Sequence, residues 1–521
     1  IAAITNNPTK YNPISHPDNN ALRREKVLKN MLEQGYITQS AYDEAINDDV
    51  YSRIKNVNDQ TQSDTVNSYF VDALTNEILS DMTEKLGYTD TQAYNKLYSG
   101  GLSIYTTQDT DIQKICDGIC SDEENYPAKT QYLLDYALTV TDADGNYKNF
   151  SSQDMETYYK SQGQNAYARL YSDEESAREG AEAYKQYVIG QGYTFESENI
   201  SVTPQPQISL TVEDQSTGYI KAIVGGRGTK EASLTLNRAT DTKRQPGSTF
   251  KIVSTYAPAL DAAGLTLASV QVDEPYNYEN GRPVSNWYGT AYKGICTLRY
   301  GIEQSLNIVT VKTLTQITPQ LGYDYLLKFG FTTLVDREVD SKGKVHSDIQ
   351  QALALGGITH GVENYELNAA YATIANGGTY VKPVFYTKVL DHDGNVLLDN
   401  TAPESHQVLK PTTAYLLTSA MEDVVTKGTG VACRFDGQAI AGKTGTTTSE
   451  KDVWFAGFTP YYTCTTWAGY DNNEKMTDDA QQHLAKSIWK KVMSKIHENL
   501  EYKDFTVPAG ITTAVVCNKS G

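Results

Sequence analysis

The chain has 521 residues, and 39% of them are apolar, which is enough for about three domains with cores of their own. Acidic residues outnumber basic ones by 64 to 45, and the formal net charge is −19. This acidity argues against nucleic acid or an anionic membrane surface as the main partner, because both would repel the chain.

The N-terminal part predicts a helical segment followed by a linker. The chain starts at Ile1 rather than Met, in a stretch typical of the middle of a domain, so we expect a fragment of a longer protein. Residues 19–47 predict two helices joined by a turn near Gly35, with Thr38 or Ser40 capping the second. A polar stretch beyond residue 47 predicts a linker.

The middle of the chain predicts a linker strand and an inserted module. Residues 65–82 are amphipathic, and residues 100–120 predict a turn, a short strand and a helix. Residues 121–206 are acidic and tyrosine-rich, with a predicted hairpin at Gly145. We interpret this stretch as an accessory module.

From Gln207 onward, strands and helices come in blocks, which predicts an α+β fold with an antiparallel sheet. Turn residues separate pairs of alternating segments at 208–226, 386–399 and 452–471, so each pair predicts a hairpin. The six cysteines and seven histidines have no metal-ligand spacing. We therefore expect buried thiols, no metal and no other cofactor.

The stretch "RQPGSTFK" contains the first candidate for chemistry. Pro246 and Gly247 break the preceding segment, and apolar residues at helical spacing then run to Gly264, so Ser248 falls at a predicted helix start. Ser248 and Lys251 are three residues apart and would share one face, where an amine could accept a hydroxyl proton. Helix capping by a serine beside a solvated lysine would produce the same pattern.

Two later motifs extend this pair into a possible site. Ser305 and Asn307 lie in "EQSLN", and Lys443, Thr444, Gly445 and Thr446 lie in "AGKTGTT". The order S-x-x-K, S-x-N and K-T-G is the signature of penicillin-binding proteins and class A β-lactamases. Each motif alone is common in caps and turns, but the ordered set is rare.

The flanking residues resemble the transpeptidase domain of class A penicillin-binding proteins. The resemblance rests on "NRATDTKRQPGSTFK", "SNWYGTAYKGICTLRYGIEQSLNIVTV", "LALGGITHGVENYELNAAYATIANGG" and "IAGKTGTTTSEKDVWFAGFTP". Residues 1–47 resemble the end of the family's glycosyltransferase domain, and "GGLSIYTTQD" resembles its linker strand.

The resemblance implies four regions. We expect a helical glycosyltransferase remnant at 1–56, a linker region at 57–206 that contains the insert of about 121–206, a transpeptidase domain of the penicillin-binding and serine β-lactamase type at 207–500, and a C-terminal strand or tail at 501–521. It also implies an extracytoplasmic enzyme, anchored to the membrane through a segment upstream of Ile1. The family's glycan-polymerising glutamates would lie upstream too, so we expect no glycosyltransferase activity from this chain.

The resemblance further implies a role for each site residue. Ser248 would be the acylated nucleophile, Lys251 its base, Ser305 a proton relay and Asn307 a residue that orients Lys251 and the substrate. Lys443, Thr444 and Thr446 would hold the carboxylate of a stem peptide or a β-lactam, and Gly445 would let the substrate approach the strand. The backbone N–H groups of Ser248 and Thr446 would bind the oxyanion. Trp287 would line the cleft, although a core position is about as consistent with the sequence.

The expected partners are therefore peptidoglycan stem peptides, β-lactams and other cell-wall synthesis proteins. For Lys251 to act as a base, burial and the charge of Lys443 must lower its pKa from about 10.4 to about 7–8. Three alternatives stay open: a D,D-carboxypeptidase, a serine β-lactamase with Glu366 in "ENYELN" as the deacylating group, and a non-catalytic β-lactam sensor or scaffold. We interpret Glu366 instead as an acid in the first turn of a helix.

Overall fold

The computed structural model describes residues 3–4, 10–14, 16–52 and 66–517. The chain divides into two compact units, one formed by Ile1–Val66 with Gln131–Thr203 and the other by Asn67–Thr130 with Pro204–Gly521. Of the predicted insert, residues 131–203 thus group with the first unit and residues 121–130 with the second, and the insert boundaries of about 121–206 stay a prediction.

The first unit begins with the predicted pair of helices, Pro17–Glu33 and Gln39–Asn47. The Thr38 side chain accepts a hydrogen bond from Ala41 N, so Thr38 rather than Ser40 is the cap. The linker predicted after residue 47 lies mostly in 53–65, outside the described residues.

The rest of the first unit is a small α/β layer. Its four strands are Gln131–Thr141, Tyr147–Ser151, Leu170–Tyr171 and Thr194–Gln205, the last of which ends two residues into the second unit, and the first strand pairs with the other three. Helices Ser152–Ser161 and Glu174–Gly190 contribute Met155, Ala177 and Val188 to a core with Leu134 and Leu138. The hairpin predicted at Gly145 is confirmed.

The second unit begins with the predicted linker elements. They are helices Tyr69–Leu86 and Asp90–Ser99, strand Ser103–Thr106, helix Thr110–Ser121 and the 3-10 turn Glu123–Asn125. The linker strand pairs antiparallel with Tyr386–Leu390, the first strand of a predicted hairpin. Cys116 and Cys120 are buried on one helix, as expected for thiols in a core.

A five-stranded antiparallel sheet forms the centre of the second unit. Its order is Ala441–Thr446, Asp452–Phe458, Thr463–Gly469, Gln207–Asp214 and Tyr219–Val224. The K-T-G motif therefore lies on an edge strand, and the predicted α+β fold is confirmed. Every residue of Asp452–Phe458 and Thr463–Gly469 is buried. Successive side chains of a strand point to opposite faces, so both faces of the sheet are covered.

A different helix covers each face of this sheet. On one face, Asn364 of helix Asn364–Ala375 accepts a hydrogen bond from Thr211 Oγ1 at 2.7 Å. On the other, Trp489 of helix Leu484–Ile496 packs edge-on against Phe455, with ring centroids 4.7 Å apart. On the edge strand, Lys443 lies opposite Ala456 of the neighbouring strand. Its side chain is on the same face of the sheet as that of Thr211. Its side chain therefore enters the core between sheet and helices.

The remaining elements of this unit surround that core. They are the helical turns Gly247–Thr249, Lys251–Tyr256, Gln351–Leu355 and Val431–Cys433; the helices Ala257–Asp261, Leu298–Glu303, Asn307–Ile317, Pro319–Lys328, Pro411–Thr426 and Asp479–Gln482; and the strands Val270–Asp273, Gly294–Thr297, Glu338–Val339, Val345–His346, Thr379–Val381, Val396–Asp399 and Ser405–Gln407. Residues 501–517, predicted as a strand or tail, form no strand. Among the described helices, none has the length and apolar character needed to cross a bilayer.

Candidate active site

The nucleophile candidate lies on a helical segment that is not a regular α-helix. Gly247–Thr249 is a 3-10 turn, Lys251–Tyr256 is π-helical, and α-helix resumes only at Ala257–Asp261. The predicted helix start at Ser248 is confirmed, but the helical run ends at Asp261 instead of Gly264 and changes type along its length. The backbone stays right-handed helical through Phe250, which joins the two segments, so Ser248 and Lys251, three residues apart, still lie on one side. Ser248 is partly exposed.

Two glycines allow this turn to touch the edge strand. Gly247 has a φ of +54°, and a Cβ there would lie 2.7 Å from the Thr446 carbonyl oxygen. A Cβ on Gly445 would lie 2.7 Å from the Pro246 carbonyl oxygen and 2.9 Å from Trp454 Cβ. The space that a Gly445 side chain would occupy is thus filled by the chain's own nucleophile turn, and the approach of a substrate to the edge of this strand stays a prediction. Gly445 keeps Ser248 against the strand.

Lys251 is fully buried, as predicted, and it reaches the S-x-N motif. Its Nζ lies 2.7 Å from the Ser305 carbonyl oxygen, 3.1 Å from Ser305 Oγ and 2.5 Å from Asn307 Oδ1. No carboxylate of the described residues forms an ion pair with it. A fully buried amine whose partners are neutral oxygens is destabilised as a cation.

Lys443 approaches the same hydroxyl from the edge strand. Its Nζ lies 2.8 Å from Ser305 Oγ and 3.2 Å from the Thr444 carbonyl oxygen, and the side chain is fully buried. The Ser305 hydroxyl therefore sits between two buried amines. The structure brings together all three predicted motifs at this point.

Burial changes the protonation of both amines. It lowers the pKa of Lys443 to about 7, from an ordinary value of 10.5. Burial, and then the nearby charge of Lys443, hold the pKa of Lys251 well below its ordinary value. Both causes predicted for Lys251 are present, and the pair resists carrying two protons at once.

Ser305 adopts a backbone conformation that is unusual for a residue with a side chain. Its φ is +54°, in the left-handed region. Such a residue costs about 1–3 kcal/mol and persists only where its surroundings determine it strongly. This conformation directs both the Ser305 carbonyl and its hydroxyl towards Lys251.

Thr444 and Thr446 leave the strand on the face opposite Lys443, because strand side chains alternate. The Thr444 hydroxyl lies 2.8 Å from that of Thr429, a residue that the sequence had not singled out. Thr446 is exposed at the end of the strand. Their contact with a substrate carboxylate stays a prediction.

Trp287 is 65% exposed, so the alternative of a core position was wrong. Its indole Nε1–H donates a hydrogen bond of 2.9 Å to the Gln304 carbonyl, one residue before Ser305. The ring thus stands in solvent beside the site. Sequence reasoning missed Asn286, which accepts a hydrogen bond from Asn307 N, and Asp273, which accepts one from Asn286 Nδ2. One Asn and one Asp outside a motif resemble ordinary loop residues, so neither gave a signal.

Comparison with known proteins agrees with this geometry. A sequence model of the penicillin binding protein transpeptidase domain matches residues 208–494, more than half of the chain. The chain belongs to the class A penicillin-binding proteins. Penicillin-binding protein 1A of Aquifex aeolicus is 30% identical over 539 residues, covering 98% of this chain and 67% of that protein.

Other penicillin-binding proteins are also similar to this chain. Penicillin-binding protein 1A of Clostridium tetani is 36% identical over 345 residues, covering 62% of this chain and 42% of that protein. Penicillin-binding protein 1A of Clostridium perfringens matches all of this chain over 56% of its own length. The chain thus spans about half the length of these relatives.

Solved structures share the fold. Penicillin-binding protein 1A of Haemophilus influenzae superposes with a TM-score of 0.61 at 20% identity, covering 100% of this chain and 82% of that one. The PonA1 protein of Mycobacterium tuberculosis, solved in complex with penicillin V, gives a TM-score of 0.60 at 19% identity, covering 84% of this chain and 96% of that one. At these identities, the likeness supports the architecture alone.

In this penicillin-binding protein, Glu366 has a structural environment. It is buried in the first turn of helix Asn364–Ala375, and its Oε1 accepts from Thr332 N at 3.2 Å and from Thr332 Oγ1 at 2.5 Å. Burial raises the pKa of Glu366. The predicted position in the first turn of a helix is confirmed, and the acid is buried there. It makes no hydrogen bond to Ser248, Lys251 or Lys443.

Proposed function

We propose that this chain is a peptidoglycan D,D-transpeptidase that forms an acyl-enzyme on Ser248. The observation that carries the proposal is the convergence of two buried amines, Lys251 and Lys443, on the Ser305 hydroxyl, with the partly exposed Ser248 three residues before Lys251. The proposed donor is the stem peptide that ends in D-Ala-D-Ala, and the acceptor is an amine of a second stem peptide. This crosslinking would occur at the outer face of the cell membrane, with the chain as part of a longer protein.

In the proposed acylation, neutral Lys251 accepts the proton of Ser248 while Ser248 Oγ attacks the carbonyl carbon of the terminal D-Ala-D-Ala amide. A neutral amine has two hydrogens, which the carbonyl oxygens of Ser305 and Asn307 accept. Its lone pair is then free for a hydroxyl proton. This arrangement makes Lys251 a base without any carboxylate partner.

The leaving step needs a proton on the departing amine. Ser305 Oγ can accept a proton from Lys443 or Lys251 and donate its own to the amide nitrogen as the C–N bond breaks. The products are free D-Ala and an ester of the shortened stem peptide on Ser248. Attack by the acceptor amine then forms the crosslink and returns the proton to Ser248.

The oxyanion and the carboxylate need cationic or N–H partners. The proposal assigns the oxyanion to the backbone N–H groups of Ser248 and Thr446, whose segments touch through Gly247. It assigns the substrate carboxylate to Lys443, whose pKa of about 7 lets it carry a proton when an anion arrives. Thr444, Thr446 and Trp287 would complete the cleft.

β-Lactams mimic the donor carbonyl and carboxylate, so they should acylate the same serine. PonA1, a protein of this fold, was solved in complex with penicillin V, so the fold can accommodate a β-lactam. The experiment is to treat wild type and Ser248→Ala with fluorescent penicillin. We expect a stable adduct on wild type and none on Ser248→Ala. Labelling of Ser248→Ala would overturn the assignment.

Crosslinking is then separated from simple hydrolysis with peptides. The chain is supplied with a donor stem peptide and an acceptor peptide, and the products are analysed by mass spectrometry. We expect the dimer together with released D-Ala. Release of D-Ala without dimer would indicate a carboxypeptidase, and acylation without turnover would indicate a sensor.

A further inference from the structure

The three residues Ser285, Asn286 and Trp287, here termed the clamp segment, bond to the S-x-N motif on both sides of Ser305. Asn307 Nδ2–H donates to the Ser285 carbonyl at 2.7 Å, and Asn307 N–H donates to Asn286 Oδ1 at 2.9 Å. Before Ser305, the Trp287 indole donates to the Gln304 carbonyl at 2.9 Å. Consecutive residues of one loop thus fix the backbone of the motif and one of its side chains.

Asn286 also replaces a missing helix cap. Helix Asn307–Ile317 starts after Leu306, which has no side chain able to accept a hydrogen bond. The first N–H groups of a helix have no partner within it and need an external acceptor. Asn286 Oδ1 supplies one, because it accepts from Asn307 N and, at 3.3 Å, from Ile308 N. The start of this helix therefore depends on a residue about 20 positions upstream.

Asp273 in turn fixes the orientation of Asn286. Its carboxylate is 1% exposed and accepts from Asn286 Nδ2 at 2.7 Å, Tyr288 Oη at 2.7 Å and Lys293 N at 2.8 Å. Three donors converge there, so the position requires a group that only accepts. With Nδ2 bound to Asp273, Asn286 can present only its oxygen to the helix.

These contacts coincide with the strained residue of the site. Ser305 is held at a φ of +54° between Gln304 and Asn307, both of which the clamp segment binds. A strained conformation of this kind needs neighbours that determine it. We propose that Asp273 and Asn286 are positioning residues for acyl transfer, which hold Ser305 and Asn307 against Lys251. This inference rests on the function proposed above.

The main test measures the rate and the extent of acylation separately. For Asn286→Ala, we expect the second-order rate constant of penicillin acylation to fall about 10- to 100-fold, as for a misplaced catalytic group. The final fraction of acylated protein should stay near that of wild type. Asn277→Ala is the matched control, because Asn277 lies in the same region and is exposed without a side-chain hydrogen bond to the described residues. It should acylate at the wild-type rate.

A swap of the two side chains adds a rescue that loss of folding cannot mimic. Asn286→Asp alone should also slow acylation, because two carboxylates would then face each other across the 2.7 Å contact. Adding Asp273→Asn restores a donor opposite an acceptor and leaves an oxygen for Tyr288 and Lys293 N. We expect the double variant to recover to within about threefold of wild type, since the complementary pairing returns.

Each outcome decides for or against the inference. Equal rates for Asn286→Ala and wild type would overturn it, as would a lower acylated fraction with an unchanged rate, which indicates misfolding alone. Failure of the double variant to recover would also contradict it. If wild type itself were not acylated on Ser248, the proposed function and this inference would both fall. If wild type is fully labelled and Asn286→Ala is acylated at the same rate, the inference is wrong but the proposed function stands.

Discussion

Replacing Lys443 by methionine should stabilise the fold while abolishing acylation. Lys443 is fully buried, and burial lowers its pKa to about 7 from 10.5. This difference corresponds to about 5 kcal/mol of destabilisation of the buried ammonium. Methionine has a similar length and fills the same space. Loss of the two hydrogen bonds of Nζ costs about 2 kcal/mol, so we expect a net gain of about 3 kcal/mol at pH 7.

The sign of the effect follows from proton binding. Between pH 7 and 10.5, the unfolded chain holds a proton on Lys443 that the folded chain has released, so the unfolding free energy rises with pH. The slope is about 1.4 kcal/mol per pH unit. The destabilisation by Lys443 is full below pH 7 and disappears near 10.5. The advantage of Lys443→Met should therefore shrink by about 3 kcal/mol between pH 7 and pH 9.5.

Urea unfolding followed by tryptophan fluorescence measures this difference. The four tryptophans that report unfolding all lie in the second compact unit, at positions Trp287, Trp454, Trp467 and Trp489. Lys427→Met is the control, since that lysine is exposed and its ion pairs contribute little. A stability gain of Lys443→Met that is equal at both pH values, or a loss at pH 7, would refute the argument from the buried ammonium.

Three further changes test other parts of the site. Gly445→Ala should lower the unfolding free energy by about 1–3 kcal/mol and slow acylation, because the new Cβ meets the nucleophile turn. The control is Gly118→Ala, where a Cβ meets nothing within 4 Å, and it should change neither stability nor acylation. Acylation of Gly445→Ala at the wild-type rate would contradict the packing role of Gly445. The second-order acylation rate should fall on the alkaline side with a midpoint at about pH 7, as Lys443 loses the proton that attracts a carboxylate. A rate constant that is flat from about pH 6 to 9 would contradict this role. Glu366→Gln should leave the lifetime of the penicillin adduct unchanged, whereas a longer lifetime would indicate that Glu366 deacylates the enzyme.

The hairpins were predictable because their signals are local. Alternating residues separated by turn residues specify a strand pair, and residues 208–226, 386–399 and 452–471 all fold in this way. Lys251, Ser305, Asn307 and Lys443 were found because their motifs have fixed spacing and order. Their convergence at one hydroxyl needed the three-dimensional fold.

Other features depend on contacts between distant segments, which periodicity does not encode. The spacing of apolar residues after Ser248 does not distinguish an α-helix from the observed 3-10 and π-helical turns, so the sequence did not indicate the type of helix. The role of Gly445 depends on Pro246, about 200 residues earlier, and the cap of Asn307 comes from Asn286. Tertiary contacts therefore determine how the motifs are held.

The most direct test of the account is the site and lifetime of the penicillin adduct. Wild type is incubated with penicillin, and intact mass and proteolytic peptides are measured over time. The account predicts one adduct per chain, located on Ser248 in the peptide that contains Lys251, and persisting for many minutes. An adduct at another residue, an adduct that remains in Ser248→Ala, or rapid return of free enzyme would contradict the claim that Ser248 is the acylated nucleophile of a transpeptidase.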